Sequence, residues 1–456
     1  MKIRSFRTRP AAEIYIAEEN ESVRRRFLCR DGVDIHYRPE VLLKFFFRPP
    51  TPQILDVLRI VASIAHADRR IPRRHSVCWG RDIELDIPVS DPEFWHNTAS
   101  KLRAVAELVT GDFWSFQFRK LSNEIELPTE GYLAFPPNED LATAYSNGLD
   151  SFAVARLVAS GHVRLSTGDA SKKNLVLVTT GQKIYLSDTY SQFGYRVRQI
   201  SVPFSVPQFG KNFQLREASY RSRALVFQTI AALASVQSQS NTVIVGEAGQ
   251  GSLGPWLTLT GEEAPDLRTH PLFTRQLSDF LKAALDVEVK FEHPLIWNTK
   301  GESLRNLVSA NLQAGWEETH SCAVQARHQK TKGGRVHCGL CPNCLLRRQS
   351  LLAAGLDDPD SNYDYGSAVT QDSSTQKRAA QGLMPLIELA CINDEKLPSR
   401  VADRQIRALG NNLKLEETET RRRVSRLIDV HKNELKQFVA ARPVRSLLRR
   451  FGEVLL

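Results

Sequence analysis

Two groups of residues in this 456-residue chain have the types and spacing to do chemistry. The first is Ser146-Asn147-Gly148-Leu149-Asp150-Ser151. An apolar run, Leu141-Ala-Thr-Ala-Tyr145, precedes it, and Phe152 to Val158 follows with apolar residues at helical spacing until Gly161. A strand, a tight polar turn and a helix start make an anion site. The first turn of a helix leaves N–H groups unpaired, and its dipole favours negative charge there. Ser146 and Ser151 add hydroxyl donors, Gly148 lets a phosphate approach the backbone, and Asp150 is placed to hold a magnesium ion. The same residues also describe an ordinary capped helix start. The second group is Cys322 with Cys338-Gly-Leu-Cys341-Pro-Asn-Cys344. One upstream thiol and two successive Cys-x₂-Cys steps suit structural zinc, with every ligand position filled and none left for chemistry. An iron–sulfur cluster and unligated thiols are the alternatives. His320, His328 and His337 lie close enough in sequence to compete as ligands and are expected to be bystanders.

These groups need elements to position them. The order strand 141–145, helix 150–160, strands 175–179 and 197–202, helix 220–236 and strand 242–246 predicts a parallel sheet covered on both faces. Ligands of such sheets bind at the carboxyl ends of strands, where Ser146, Thr180 and Gly246 fall. Upstream, Thr51-Pro52 opens an amphipathic helix, residues 81–87 alternate as a strand, and Asp91-Pro92 opens a second helix that ends at Gly111. Phe113 to Phe118 is an aromatic strand. This mixture predicts an α+β domain over 1–135, with Trp79, Trp95, Trp114 and Phe116 expected mostly in its core. Residues 127–138, with Pro128, Gly131, Pro136 and Pro137, read as a linker. Residues 366–375 read as a hinge, and 378–391 and 416–440 as helices. The last of these carries Val424, Leu427, Ile428, Leu435, Phe438 and Val439 on one face. Its Arg421-Arg-Arg423 run is expected to be solvated.

The Ser146–Ser151 loop resembles that of the PP-loop ATP pyrophosphatases. Together with the cysteine run it resembles the 7-cyano-7-deazaguanine synthase (QueC) family. Supporting matches are Gly181-Gln182, Tyr220 to Phe227 with Arg223 within, and Val243-Ile-Val-Gly246-Glu247. Others are His293-Pro-Leu295 with Thr299-Lys300-Gly-Glu302, and Arg347, Gly355 and Asp357-Asp-Pro359. The resemblance runs over roughly 138–365. Asn147 departs from the family's glycine, a change that asparagine's tolerance of positive φ would absorb. A second departure is the long Cys322–Cys338 spacing, with a basic insert at 327–335.

The resemblance implies an adenylating enzyme that uses ATP and Mg²⁺, with structural Zn²⁺ on the four cysteines. It implies catalytic roles for Asp150, Ser151 and Lys300, pyrophosphate binding by Ser146 to Ser151 and Arg223, and substrate contact at Gly246 and Glu247. The acid activated would be 7-carboxy-7-deazaguanine. The domains expected are therefore 1–135, a PP-loop α/β core at 138–365 with a zinc lobe at 321–348, and a basic helical extension at 370–456. Those extra segments resemble the enlarged QueC-like proteins of anti-phage cassettes of the Qat type and related CBASS cassettes. That likeness implies a C–N ligase that delivers the deazaguanine to an amine on a partner protein, with helix 421–436 docking an acidic surface. A housekeeping 7-cyano-7-deazaguanine (preQ0) synthase and a catalytically silent nucleotide- or partner-binding module are the alternatives.

Composition sets the outer bounds. At 42% hydrophobic and 25% charged residues the chain has ordinary globular composition, and its length suits two or three domains. No apolar run approaches the roughly 18 residues of a membrane span, and nothing at Met1-Lys-Ile-Arg resembles a signal peptide. Seven cysteines, four of them in a metal pattern, fit a reducing, cytoplasmic setting; Cys29, Cys78 and Cys391 are scattered. The net charge of +10 is weighted towards the C-terminus, so nucleic acid is a secondary expectation and a membrane partner is not expected.

Overall fold

The computed structural model describes residues 13–18, 25–30, 34–39, 42, 51–73, 80–122, 140–166, 168–170, 173–181, 193, 196–207, 209–210, 213–214, 217, 219–253, 267–322, 337–339, 341–363 and 403–441. Cys78, Trp79, Gln182, His328, Cys391, the side chain of Cys29, and the segments expected as linker (127–138), basic insert (327–335), hinge (366–375) and helix (378–391) lie outside them.

In chain order the main elements are β1 (Glu13–Glu18), β2 (Arg25–Arg30), α1 (Pro52–Arg70), β3 (Asp82–Val89), α2 (Pro92–Thr110) and β4 (Phe113–Lys120). There follow β5 (Asp140–Ala144), α3 (Leu149–Ala159), β6 (Asn174–Thr179), β7 (Val197–Ser201), α4 (Arg223–Gln237) and β8 (Thr242–Ile244). The chain then forms α5 (Pro271–Leu285), β9 (Lys290–Glu292), α6 (Lys300–Ser309), α7 (Pro342–Ala353), α8 (Asp403–Leu413) and α9 (Glu417–Ala440). It divides into two compact units that interleave along the sequence. Met1–Ala144, Lys172–Val245 and Asp266–Glu292 form the first; Tyr145–Ser171, Gly246–Pro265 and His293–Leu456 form the second.

The first unit holds both main sheets. Its five-stranded sheet has the order β7-β6-β5-β8-β9, and every neighbouring pair is parallel. Strands β5, β6 and β8 therefore end on one edge, at Ala144, Thr179 and Ile244. Strand β6 is buried from Leu175 to Thr179, the continuous apolar reading that a parallel strand covered on both faces gives. Helix α4, buried almost all round, packs on β5 and β8. The second sheet has the order β2-β1-β3-β4, antiparallel about β1 and parallel between β3 and β4. The helix between the parallel pair, α2, begins where the Asp91 carboxylate accepts from Phe94 N and stops at Gly111, whose φ of 72° suits glycine. Trp95, Trp114 and Phe116 are buried, so these aromatics are core residues.

Three buried acids lock the first unit. Asp56 accepts from Arg59, the Ser90 backbone and hydroxyl, and Trp95 Nε1. Asp68 accepts from Arg81 at 2.7 Å and from Ser222 N and Oγ, tying α1 to the start of α4. Asp112 takes Arg73 at 2.7 Å and Arg81 at 2.6 Å. Charges this deeply buried survive because each is met by hydrogen bonds; removing one partner costs about 3–5 kcal/mol.

The second unit is helical. Helix α3 is buried along nearly its whole length, and packs on α6, which packs on α7. Arg156 of α3 donates to Leu312 O at 2.8 Å. Helix α9 packs on α7 and α8 through Val424, Leu427, Ile428, Leu435 and Phe438, all buried. Of its basic run only Arg422 is exposed; Arg421 and Arg423 are half-buried, with Arg423 over the Trp297 ring. All three pair locally, Arg421 with Asp403 and Glu417, and Arg422 and Arg423 with Glu419. Among the described residues no helix is long and apolar enough to cross a membrane.

Candidate functional site

The loop from Ser146 to Ser151 is closed on itself. Ser146 N donates to Ser151 Oγ at 3.2 Å, and the two hydroxyls lie 3.0 Å apart. Gly148 is the N-cap of α3, with φ −92° and ψ 159°, an extended conformation that any residue adopts. Space favours glycine here: a Cβ would stand 3.3 Å from Ser146 Oγ, a tight approach. The free first-turn N–H groups of α3 and this hydroxyl pair form a cradle for an anion.

Asn147 is not among the residues with positive φ, so asparagine's tolerance of that region is not what lets it replace glycine. It serves as a strut instead. Its side-chain amide donates to Glu318 O at 2.9 Å, and its own carbonyl accepts from His320 N at 2.5 Å. The loop is thereby fastened to the segment that runs directly into Cys322. A glycine could make only the backbone half of this attachment.

Lys300 opens α6. Its Nζ lies 2.6 Å from Asp150 Oδ2, with only 11% and 17% of the two side chains exposed. This is an ion pair, but one well removed from the freely solvated surface pairs that contribute little. The helix start that carries Lys300 is built by a capping box. Thr299 Oγ1 accepts from Glu302 N at 3.0 Å, and the Glu302 carboxylate accepts from Thr299 N at 2.9 Å. The backbone N–H of Lys300 is taken by Gln250 Oε1 at 3.0 Å, from the single helical turn Gly249–Ser252. Gln250 was not expected as part of the site, and a glutamine in a Gly-rich stretch gives no sequence signal of it. The Thr-x-x-Glu pattern of the capping box, by contrast, was readable.

Gly246 and Glu247 lie close to α3 and to that turn. A Cβ on Gly246 would stand 2.7 Å from Val154 Cγ1, so glycine there lets the backbone pass against α3. The Glu247 carboxylate lies against Gly251, where any side chain would collide with it. Arg223 belongs to the first unit, at the start of α4, with its guanidinium 5.1 Å from the centre of the Phe227 ring.

The four cysteines converge. Cys322, Cys338, Cys341 and Cys344 place their sulfurs within 4.8 Å of one another, and the last three are buried. A tetrahedron with Zn–S bonds of about 2.3 Å has edges of about 3.8 Å. Cys338 Sγ and Cys344 Sγ are 3.8 Å apart, so the geometry fits a zinc ion. Hydrogen bonds among the thiols, that from Cys322 first, bring Cys338 down to about 7. At Cys322 the bond to Cys338 pushes upward, but those to Cys341 and Cys344 outweigh it and leave the thiol at about 7. The same hydrogen bonds, that from Cys322 first, push Cys344 strongly upward, so two of the thiols, Cys322 and Cys338, are the ones poised to ionise towards metal-bound thiolates. His337 Nε2 instead accepts from Ser321 N at 3.3 Å, and its ring stacks on His320 with centroids 4.8 Å apart. Burial, helped by the charge of Arg347, holds His337 at about 3. Arg347 donates to Thr319 Oγ1 at 2.6 Å, and Arg348 lies over the Tyr363 ring at 4.6 Å.

Comparison with known proteins meets this geometry from outside. Residues 206–355 match the family described as Queuosine biosynthesis protein QueC. That segment contains Arg223, Gly246, Glu247, Lys300 and all four cysteines; the Ser146–Ser151 loop precedes it. The proteins named 7-cyano-7-deazaguanine synthase from Brucella ovis, Brucella abortus and Brucella melitensis are each 35% identical over 118 residues. The match covers 25% of this chain and 44% of each relative, so the chain spans less than half the length of the relatives it matches. The parallel α/β sheet and the four-cysteine cluster thus accompany a segment, 206–355, that is similar to the QueC family.

Proposed function

We propose that the protein uses ATP to activate the carboxylate of a 7-deazaguanine acid, 7-carboxy-7-deazaguanine, in a preQ0 synthase-type reaction. The observations that carry the reading are the Lys300–Asp150 ion pair and the Ser146–Ser151 hydroxyl pair, each made with the first turn of α3. A carboxylate is a poor electrophile because its leaving group would be oxide. Its oxygen therefore attacks the α-phosphorus of ATP, the bond to the β-phosphate oxygen breaks, and pyrophosphate leaves. The acyl carbon of the resulting adenylate is then open to an amine, which loses a proton as AMP departs. The charge that develops sits on pyrophosphate, so fixed donors do most of the work. Ser146, Ser151 and the α3 N–H groups would receive it, with Arg223 as a further cation. Lys300 would approach the phosphates and Asp150 would hold magnesium, which shields phosphate charge. Gly246 and Glu247 would contact the base.

The amine is proposed to belong to a partner protein, within an anti-phage cassette of the Qat type. About half of the chain lies outside the proposed core at 138–365, surface that a small-molecule enzyme of this kind does not need. The division proposed for these roles is 1–135, 138–365 and 370–456. A second reading, synthesis of the free nitrile from ammonia, is favoured by the names of the relatives. Full-length protein incubated with ATP, the acid, and either ammonia or neighbouring-gene proteins separates them by intact mass and small-molecule analysis. A partner that gains the mass of the base supports transfer. Free nitrile alone supports the second reading, and no pyrophosphate release in either case overturns both.

A further inference from the structure

The C-terminal helix α9 lies beyond the matched segment, yet it grips the turn that presents Lys300. Glu434 is 4% exposed, and its Oε1 accepts from Thr299 Oγ1 at 2.8 Å and from Arg305 Nη2 at 3.0 Å. Thr299 is the cap of α6, so one hydroxyl takes the Glu302 N–H and gives its own proton to Glu434. The approach is close: a Cβ on Gly301 would stand 2.5 Å from Glu434 Oε1 and 2.8 Å from Ala353 Cβ. Two further contacts come from about two turns earlier on α9. Arg426 pairs with Glu302, the other half of the capping box, and donates to Trp297 O at 2.9 Å. Leu427 packs against Gly249, in the turn whose Gln250 takes the Lys300 N–H.

We propose that Glu434 is a positioning residue for Lys300, acting through the Thr299 cap to fix the start of α6 so that Lys300 meets Asp150. A buried acid is a poor choice for packing alone. Among the described residues Glu434 Oε2 has no hydrogen-bond partner, and burial pushes its carboxyl upward, with Thr299 and Arg305 opposing that shift. An apolar side chain of similar volume would avoid this cost. What it could not do is accept the Thr299 hydroxyl, which leaves Glu434 as a geometric device. The inference rests on the proposed function only for its kinetic consequence, since the position of Lys300 can be read without any reaction.

The test uses full-length protein and Lys300 acetylation by N-hydroxysuccinimide acetate, followed by site-resolved mass spectrometry, with exposed Lys414 as the internal control. Glu434→Leu, which removes the acid and fills its volume, should raise the Lys300 rate about tenfold relative to Lys414, the scale of one lost hydrogen bond to a charged group. Its melting temperature should not fall, which separates positioning from general support. Glu434→Gln keeps an acceptor for Thr299 and should stay within about twofold of wild type. Thr299→Val, which removes the donor from the other side, supplies the same comparison if Glu434→Leu does not fold. Unchanged Lys300 acetylation in the Leu or Val protein overturns the proposal, as does a Gln protein as reactive as the Leu protein. In pyrophosphate exchange, Glu434→Leu should lower kcat about tenfold with little change in the KM for ATP. Wild-type protein that exchanges no pyrophosphate would sink the functional reading while leaving the acetylation result to stand by itself.

Discussion

Lys300 Nζ stands 2.6 Å from Asp150 Oδ2, so the first turn of α6 is bonded to the first turn of α3. The charge of Lys300 is thus held at the start of α3 by Asp150, the residue next to Ser151 in sequence. Asp150→Asn should lower pyrophosphate release by about a hundredfold, the usual scale for removing one electrostatic contact from a reacting group. It should also cost stability, by about 1–2 kcal/mol, because a largely buried ammonium loses its partner. Adding Lys300→Met to Asp150→Asn should restore the urea midpoint and leave release as low as before. Recovery of both together would mean that the pair is structural and nothing more.

Zinc should hold the second unit together around the loop. Cys341→Ser should lower bound zinc, measured by elemental analysis, and the melting temperature in the same protein. The strut from Asn147 to Glu318 and His320 carries the consequence further, since those residues lie just before Cys322. Amides of residues 146–151 should therefore exchange hydrogen faster after chelation. Freshly purified protein that contains no zinc, or a loop whose exchange ignores chelator, would count against this coupling.

Much of the local structure was legible because its signals are local. Pro52 and Pro92 behind Thr51 and Asp91, Gly111 past the end of α2, and the alternation in 81–87 mark real boundaries at α1, α2 and β3. The strand expected over 242–246 stops at Ile244, and the helix expected from 220 begins at Arg223. The cysteine spacing announced the cluster directly. Other features were hidden because they depend on distant partners. Nothing around Glu434 says that it will meet Thr299, and nothing in a linear reading reveals two compact units whose segments alternate along the sequence. Asn147 was noticed as a departure, but its use as a strut needed the position of Glu318.

Gly246 gives a test between two uses of one residue. Its proposed substrate contact and its close passage by Val154 both call for glycine. Gly246→Ala should destabilise the fold by about 1–3 kcal/mol through overpacking against Val154. Val154→Ala removes the atom in the way, so the double variant should regain most of the lost stability in urea titrations. If packing is the whole role, pyrophosphate exchange returns with stability. If the base also needs the glycine, exchange stays low in a protein that is otherwise repaired.

The last expectation concerns acid. His431 of α9 is 6% exposed and accepts or shares a proton with Gln349 of α7 across 3.2 Å. Burial lowers it from 6.5 to about 4, and burial acts first in holding His66 and His270 at about 4 as well. The sign follows from the direction of these shifts. Above pH 6.5 each imidazole is neutral whether the chain is folded or not, and contributes no pH dependence. Between pH 6.5 and about 4 the unfolded chain binds protons that the folded chain refuses, so stability falls as pH falls. Each such histidine contributes a slope of about 1.4 kcal/mol per pH unit at most. Urea midpoints measured from pH 7 to 4.5 should therefore decline steeply. His431→Gln, which keeps a polar partner for Gln349 and does not titrate, should remove close to one proton from that slope. A slope unchanged by His431→Gln would mean that α9 opens and hydrates His431 before the rest of the second unit unfolds.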